Sequence, residues 1–396
     1  MKGADSARMS NAALPINKVR FDTSNQTLQQ ELKAAVDGYF ARTGEPRTAN
    51  ARMYRKAAFL VVSWVCLQAL LVSGVLPALV AWPLCLLLGV VMAVTGFNVG
   101  HDAIHGAFSK KAWVNALGSR VFDLAGASSF TWSTAHNFVH HTYTNVPGVD
   151  HDLDPGPFMV FVEQERPAWI YRFQHVYSFA LYFMTHIVWV FKKDFQQIAA
   201  PDPRTNTRAP IGKIVDVIVG KLAHFALFLG LPLLVSGYAP WQVFVGYFTA
   251  IAMAGLTLAV VFQLAHVVEG TAFPRVNDMG RIDDSWAAHQ LKTTTNFAPD
   301  SAFWNFFTGG LNHQVEHHLF YKIAHIHYPA LSPLVREVAR RHGVPYLDFP
   351  TFGAALASHV RTMRRFGLGT IEAKARGFVV DHDAHGLALP EPLPAE

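Results

Sequence analysis

The chain of 396 residues is 51% hydrophobic and carries a formal net charge of +5, with a mean hydropathy of +0.20. That balance points to a protein partly solvated by lipid, and the charge is too small and scattered for nucleic-acid binding. The two cysteines, Cys66 and Cys85, sit in apolar runs, which excludes a disulfide framework and leaves nitrogen and oxygen as ligands for any metal.

Residues 1–50 are polar and lack the apolar core of a secretory signal, so they are expected to form a cytosolic N-terminal segment. Runs 57–76 and 79–98 are uncharged, and at about 1.5 Å per residue each is long enough to cross a ~30 Å hydrocarbon core. A tight turn joins them. Runs 217–236 and 241–263 form a second pair across SGYAP, with Lys221 and His224 near the start of the third run, where lysine can snorkel to the interface. Arg52, Arg55, Lys56, Lys110, Lys111, Arg204, Arg208, Lys213 and Arg275 flank the pairs on one side, and the short turns carry no charge. The positive-inside rule then places both termini and both long loops in the cytoplasm. A fifth apolar run, 170–191, contains Arg172, His175 and His186 and reads as a helix lying in the interface. If it crossed, the histidine-rich segments would end on opposite faces. The expected fold class is therefore all-α, a multi-pass membrane protein of four transmembrane helices in two hairpins with a cytosolic helical cap. The expected divisions are 1–50, a membrane domain over 51–350, and a C-terminal helix with a loose tail over 351–396, ending GLALPEPLPAE.

The twenty histidines are clustered. In HDAIH, His101 and His105 are four apart, about 40° around an α-helix, and so face one way. In HNFVHH, His136 and His140 repeat that spacing while His141 is turned by about 100°, which suggests two ions. In QVEHH, Gln314, His317 and His318 share a stripe about 100° wide with the glutamine at its centre. Its side-chain oxygen can coordinate or hold a metal-bound water, and His313 stands at the stripe's edge. His266 follows the fourth apolar run as closely as His101 follows the second, so both emerge at one surface. Eight imidazoles are about twice what one zinc uses. Two ions result: nitrogen-rich sites with open positions suit iron that binds dioxygen, and the same donors admit two zinc ions. Asp102, Asn145, Asn312 and Glu316 stand beside the ligands and are expected to orient imidazole N–H groups. His382 and His385, in DHDAH, repeat the first spacing but lie in the tail and are left out of the set.

HDAIH, HNFVHH and QVEHH in this order, with FQLAHVVE supplying the isolated histidine, resemble the histidine boxes of membrane fatty acid desaturases; the likeness runs from about residue 40 to 347. The resemblance implies an oxygen-dependent di-iron desaturase acting on a long acyl chain, as acyl-CoA or acyl-lipid. Two iron ions, dioxygen as co-substrate and electrons from an external carrier come with it. Catalytic residues beyond the metal ligands are not expected, because no protein base removes hydrogen from an unactivated methylene. Gln314 in place of the third box's first histidine resembles the front-end subgroup, which desaturates between an existing double bond and the carboxyl end. An HPGG-type haem-binding stretch and a Gly-rich nucleotide-binding turn are both missing from the sequence. The expected partner is therefore cytochrome b5 or a ferredoxin with its reductase, met by Lys110, Lys111, Arg336, Arg340 and Arg341. A di-iron lipid hydroxylase is the nearest alternative and a di-zinc membrane hydrolase another. A divalent-metal transporter would place ionisable ligands at mid-membrane.

Overall fold

The computed structural model describes residues 16–23 and 26–378. The tail with His382 and His385 lies outside the described residues, as does most of the segment before the first long helix. In chain order the principal helices are α1 (Thr27–Thr43), α2 (Ala51–Val72), α3 (Ala78–Ile104), α4 (Ala112–Ala125), α5 (Ile211–Val235), α6 (Pro240–His266), α7 (Gln314–Phe320), α8 (Tyr328–Arg341) and α9 (Phe352–Ala375). Of these, α2, α3, α5 and α6 are long and apolar enough to cross a membrane. The chain is a membrane protein.

The four helices extend past the apolar runs that mark them in the sequence. Asn50 starts α2 by accepting from the backbone N–H groups of Arg52 and Met53, so Arg52, Arg55 and Lys56 lie inside its first turns. At the same end of the bundle, α3 continues through His101 and α6 through His266, and Ala49, Met53 and Ala57 pack on Val99 and Ala103. Hydropathy marks the stretch that faces lipid, whereas backbone hydrogen bonding continues wherever polar side chains find partners beyond it. The crossing of α3 and α6 is close because position 89 is glycine; a Cβ there would stand 2.1 Å from Ala250 O.

The run 170–191 is not among the four long apolar helices. It divides into Trp169–Phe173, Gln174–Tyr182 and Met184–Val188. Gln174, Ser178, Tyr182 and His186 are buried along one side, while Phe173, Val176, Met184 and Val188 are exposed along the other. The buried side packs on α6 and α9.

Two short parallel strand pairs interrupt the expected all-α architecture. Arg20–Phe21 pairs with Arg281–Ile282, and Thr295–Phe297 with Leu347–Phe349. The second pair brackets α7 and α8 and fixes their place over a core of Leu28, Leu32, Leu291, Val315, Leu319 and Val335. From the other side α9 grips the end of α6: His359 Nδ1 donates to Val267 O at 2.7 Å and leaves Nε2 to accept from the Tyr182 hydroxyl at 2.8 Å.

Candidate metal centre

Two departures from α-helical winding set the geometry. Gly96–Gly100 winds as a π-helix, closed by His101 N–H to Gly96 O. Position 100 must lack a side chain, since a Cβ would stand 2.4 Å from the Phe122 ring of α4. Ser133–His140 also winds as a π-helix, closed by His141 N–H to His136 O. Five-residue closure brings the Nε2 atoms of His136 and His141 to 3.1 Å. The rings of His136 and His140 still stack at 5.0 Å, but the 40° and 100° separations expected of an α-helix do not hold, and His140 turns toward a different set of neighbours.

The ligand atoms of His101, His105, His136 and His317 all lie within 4.8 Å of one another, and those of His140, His266 and His318 do the same. His141 stands between the sets, its ring 4.8 Å from His105, 4.6 Å from His317 and 4.3 Å from His318. The structure thus brings together all eight histidines singled out in the sequence, and none is more than 6% exposed. Gln314 joins the second set, with Nε2 at 3.0 Å from His266 Nε2 and 3.4 Å from His318 Nε2. A half-turn of that amide presents Oε1 to the same point.

The outer nitrogens are held. His140 Nδ1 donates to Asp150 Oδ2 at 3.0 Å, His318 Nδ1 to Gln290 Oε1 at 2.9 Å and His266 Nδ1 to Thr293 O at 3.3 Å. His317 Nδ1 lies 3.2 Å from the Tyr328 hydroxyl. Many other buried atoms of the cluster have no partner: both ring nitrogens of His101 and His105, Nε2 of His140 and His317, Nδ1 of His141 and Oε1 of Gln314. A buried polar atom left unpaired costs about 1–3 kcal/mol. A neutral imidazole offers one lone pair, and one ligand atom from each ring of the two sets converges in a dry space, an arrangement that fits cations. Burial first, and then the neighbouring imidazoles, hold His105, His136, His141, His317 and His318 well below the ordinary histidine value, so these rings are neutral donors. At His140 burial also opposes the charge, but the Asp150 carboxylate outweighs it and raises the value.

The residues expected to orient the ligands fare unevenly. Asn145 Nδ2 donates to His266 O at 2.9 Å and its backbone N–H to Asp150 Oδ2, so it positions chain and carboxylate instead of a ring. Asp102 Oδ2 accepts from the backbone N–H and Nδ1 of His325 at 3.1 and 3.0 Å, and Oδ1 lies 3.8 Å from His101 Nδ1. Three residues face away from the cluster. Glu316 accepts from Asn296 and Tyr346 at 2.8 and 2.7 Å, Asn312 Nδ2 donates to Asn305 Oδ1 at 2.6 Å, and His313 Nε2 lies 3.1 Å from the same oxygen. The cause is the start of α7 at Gln314: residues 312 and 313 precede the helix, and Glu316 is turned about 200° from Gln314. Asp150, Gln290 and Tyr328 went unrecognised in the sequence. Only Asp150 had a local signal, in the acidic VDHDLD that follows the second histidine cluster.

A family model described as fatty acid desaturase matches residues 77–350. The chain belongs to the fatty acid desaturase family. It is 37% identical over 363 residues to the sn-1 linoleoyl-lipid 6-desaturase of Synechocystis sp., covering 89% of this chain and 99% of that one. Identity is 33% to the sn-1 linoleoyl-lipid 6-desaturase of Arthrospira platensis, with 88% and 94% covered. To the acyl-lipid (8-3)-desaturase of Physcomitrium patens it is 32%, with 88% and 73% covered. These relatives decide for a membrane-bound oxidoreductase that desaturates fatty acids, over the hydroxylase, hydrolase and transporter alternatives.

In this desaturase a small apolar cavity of about 30 Å³ adjoins His101, between Met92, Phe97, Phe122, Trp132, Leu258 and Phe262. On the outer surface, three of the five basic residues expected to meet an electron carrier are engaged within the chain: Arg336 by Asp348, Arg340 by Glu337 at 2.9 Å and Arg341 by Glu31 at 3.1 Å.

Proposed function

We propose that the desaturase removes two hydrogens from neighbouring methylene carbons in the acyl chain of a membrane lipid, at two iron ions. The convergence of eight buried imidazoles and Gln314, several of their polar atoms without a partner, carries this reading. His101, His105, His136 and His317 hold one ion, and His140, His266, His318 and Gln314 the other, with His141 at the border. Bound iron supplies the dioxygen-dependent oxidation that no protein acid or base can perform. The chain's own part is to keep most of the imidazoles neutral, to fix His140, His266, His317 and His318 through their outer nitrogens, to exclude water, and to present apolar walls beside His101 against which the reacting methylenes lie. The relatives named as acyl-lipid and linoleoyl-lipid desaturases favour a lipid-linked substrate over acyl-CoA. Gln314 favours a double bond placed on the carboxyl side of an existing one.

In the arrangement we envisage, α2 with α3 and α5 with α6 form two membrane hairpins, and residues 51–350 are the catalytic domain. The histidine groups, the cap built from α4 and α7–α9, and both termini face the cytosol. Segments between Trp169 and Val188 lie in the interface with their exposed apolar side in lipid. Electrons arrive from cytochrome b5 or a ferredoxin, served by its reductase, and the carrier docks at Lys110 and Lys111.

The test is expression in a host with a simple lipid profile, followed by chromatographic location of the double bond and metal analysis of the purified protein. A new double bond in lipid-linked chains and two irons per chain are expected. His101→Ala and His266→Ala should abolish turnover without preventing membrane insertion. A hydroxylated product, or oxygen-independent turnover with zinc, would refute the reading.

A further inference from the structure

A second, larger cavity lies at the other end of the spans. It measures about 480 Å³, within the range of ligand pockets, and Leu71, Leu79, Cys85 and Phe228 are among its apolar lining residues. Along α3 the lining runs from Ala78 to Leu88, and along α6 from Trp241 to Ala250. Ten residues of helix are about 15 Å, half of a ~30 Å hydrocarbon core. The cavity is therefore one leaflet deep, and that leaflet is the one away from His101 and His266. Leu88, Ala250 and Tyr247 join Met92 in one apolar cluster that closes its inner end. Trp82 and Trp241, half-exposed or more on the outside, mark the rim as an interfacial belt.

Deep in this cavity, at Gln68 and Tyr247, hydrogen bonding is one-sided, whereas at the rim Gln242 accepts the Ala239 N–H with Oε1 and keeps its amide N–H groups for an acceptor such as an ester carbonyl. Gln68, only 7% exposed, donates from Nε2 to Leu227 O at 3.1 Å, which fixes the amide and leaves Oε1 without a partner. His224 donates from Nδ1 to Leu124 O, so its Nε2 accepts from the Tyr247 hydroxyl at 2.9 Å and the tyrosine oxygen keeps a lone pair free. Trp82 Nε1 donates to Thr249 Oγ1 and the Tyr238 hydroxyl to Leu76 O. The donors of Trp82 and Tyr238 are spent within the protein, and the acceptors of Gln68 and Tyr247 are left over. A matching ligand is apolar for most of its length and brings an O–H of its own. Diacyl phospholipids present only acceptors at their ester level and leave Gln68 unpaired.

We propose that this cavity is a lipid site separate from the metal centre and that it holds one acylglycerol. An acyl chain fills the apolar slot toward the midplane, and the free glycerol hydroxyl donates to Gln68 Oε1. Gln68 stands four residues, about 6 Å, from the end of α2, a depth suited to a glycerol backbone.

The experiment reconstitutes the full chain in nanodiscs containing equal amounts of dioleoylglycerol, its O-methyl ether and dioleoylphosphatidylcholine, and counts retained lipids by native mass spectrometry. Dioleoylglycerol should be retained at one per chain, about tenfold over the ether, a difference of about 1.4 kcal/mol. Gln68→Leu should erase that preference while desaturation proceeds as in the wild type. Equal retention of the three lipids by the wild type overturns the proposal, as does retention of none, which would leave water as the partner of Gln68. An unchanged preference in Gln68→Leu overturns it too, and if that variant does not fold, the wild-type comparison of alcohol with ether decides alone.

Discussion

Exchanging Asp150 for asparagine removes one negative charge from behind His140 and keeps the side chain's size. Asp150 is 4% exposed; Oδ2 receives His140 Nδ1 at 3.0 Å and the Asn145 backbone N–H at 2.9 Å, and Oδ1 receives the Asp152 backbone N–H at 3.0 Å. Asparagine has a single acceptor oxygen, so at least one of these donors comes to face an NH₂ group. A hydrogen bond to a charged group contributes about 1.5–3 kcal/mol. At about 1.4 kcal/mol per tenfold, its loss lowers the affinity of an ion held by His140 roughly 10- to 150-fold, the scale expected for partners of metal-binding histidines. Iron content of purified Asp150→Asn, measured over a range of buffered free Fe²⁺, reads this directly. Asp152→Asn is the control: that carboxylate is 42% exposed and lies 3.7 Å from the same nitrogen. An exposed pair of this kind contributes about 0–1 kcal/mol, so no more than about a fivefold loss is expected. Wild-type affinity in Asp150→Asn, or an equal loss in both variants, would show that Asp150 does not hold the ring.

Gln314→Ala should lower activity and iron occupancy about tenfold, with partial recovery in Gln314→His; full activity in the alanine variant would remove Gln314 from the ligand set. Acid should destabilise the metal-free protein. His105, His136, His141, His317 and His318 are depressed in the fold, so below the unfolded value of about 6.5 the unfolded chain binds protons that the fold refuses. Stability present above that pH is lost as pH falls toward the folded-state values, and within the cluster His140, shifted upward, acts in the opposite sense. The thermal midpoint of metal-free protein should therefore drop between pH 7 and pH 5, and a flat profile would argue against a neutral cluster. Gly89→Ala places its Cβ against Ala250 O and should cost about 3 kcal/mol, read as a lowered unfolding midpoint in detergent; an unchanged midpoint would mean that the helices separate freely there. Reporters fused after Val75, Ser236 and Glu396 should report outside, outside and inside, and an outside C-terminus would require a fifth crossing.

The parts of the site legible in the sequence are those governed by short spacing or membrane depth. His266 could be placed from its distance to the end of an apolar run alone, and its ring stands 4.7 Å from His140 and 4.9 Å from His318. The division of the second histidine cluster between two ligand sets depends on π winding, which leaves no periodic trace in eight residues. Gln290 reaches the site from a separate helix 28 residues before His318, and Tyr328 turns back on His317 from the start of α8, 11 residues on, so neither shares a periodic spacing with the ligand it holds. The strand pairs are two and three residues long, too short for an alternating pattern to show.

Each ligand set draws on distant parts of the chain. His101 and His317 are roughly two hundred residues apart, and His140 must meet both His266 and His318. At about 5–20 residues per second, the ribosome needs on the order of 10–40 s to pass from the first of these segments to the last. Neither set can close on a nascent chain, so all four apolar helices enter the bilayer before a complete ligand set exists. On the proposed iron assignment, metal loading is then a step that follows insertion, and a shortage of iron would leave a fully inserted but empty protein instead of arresting its synthesis.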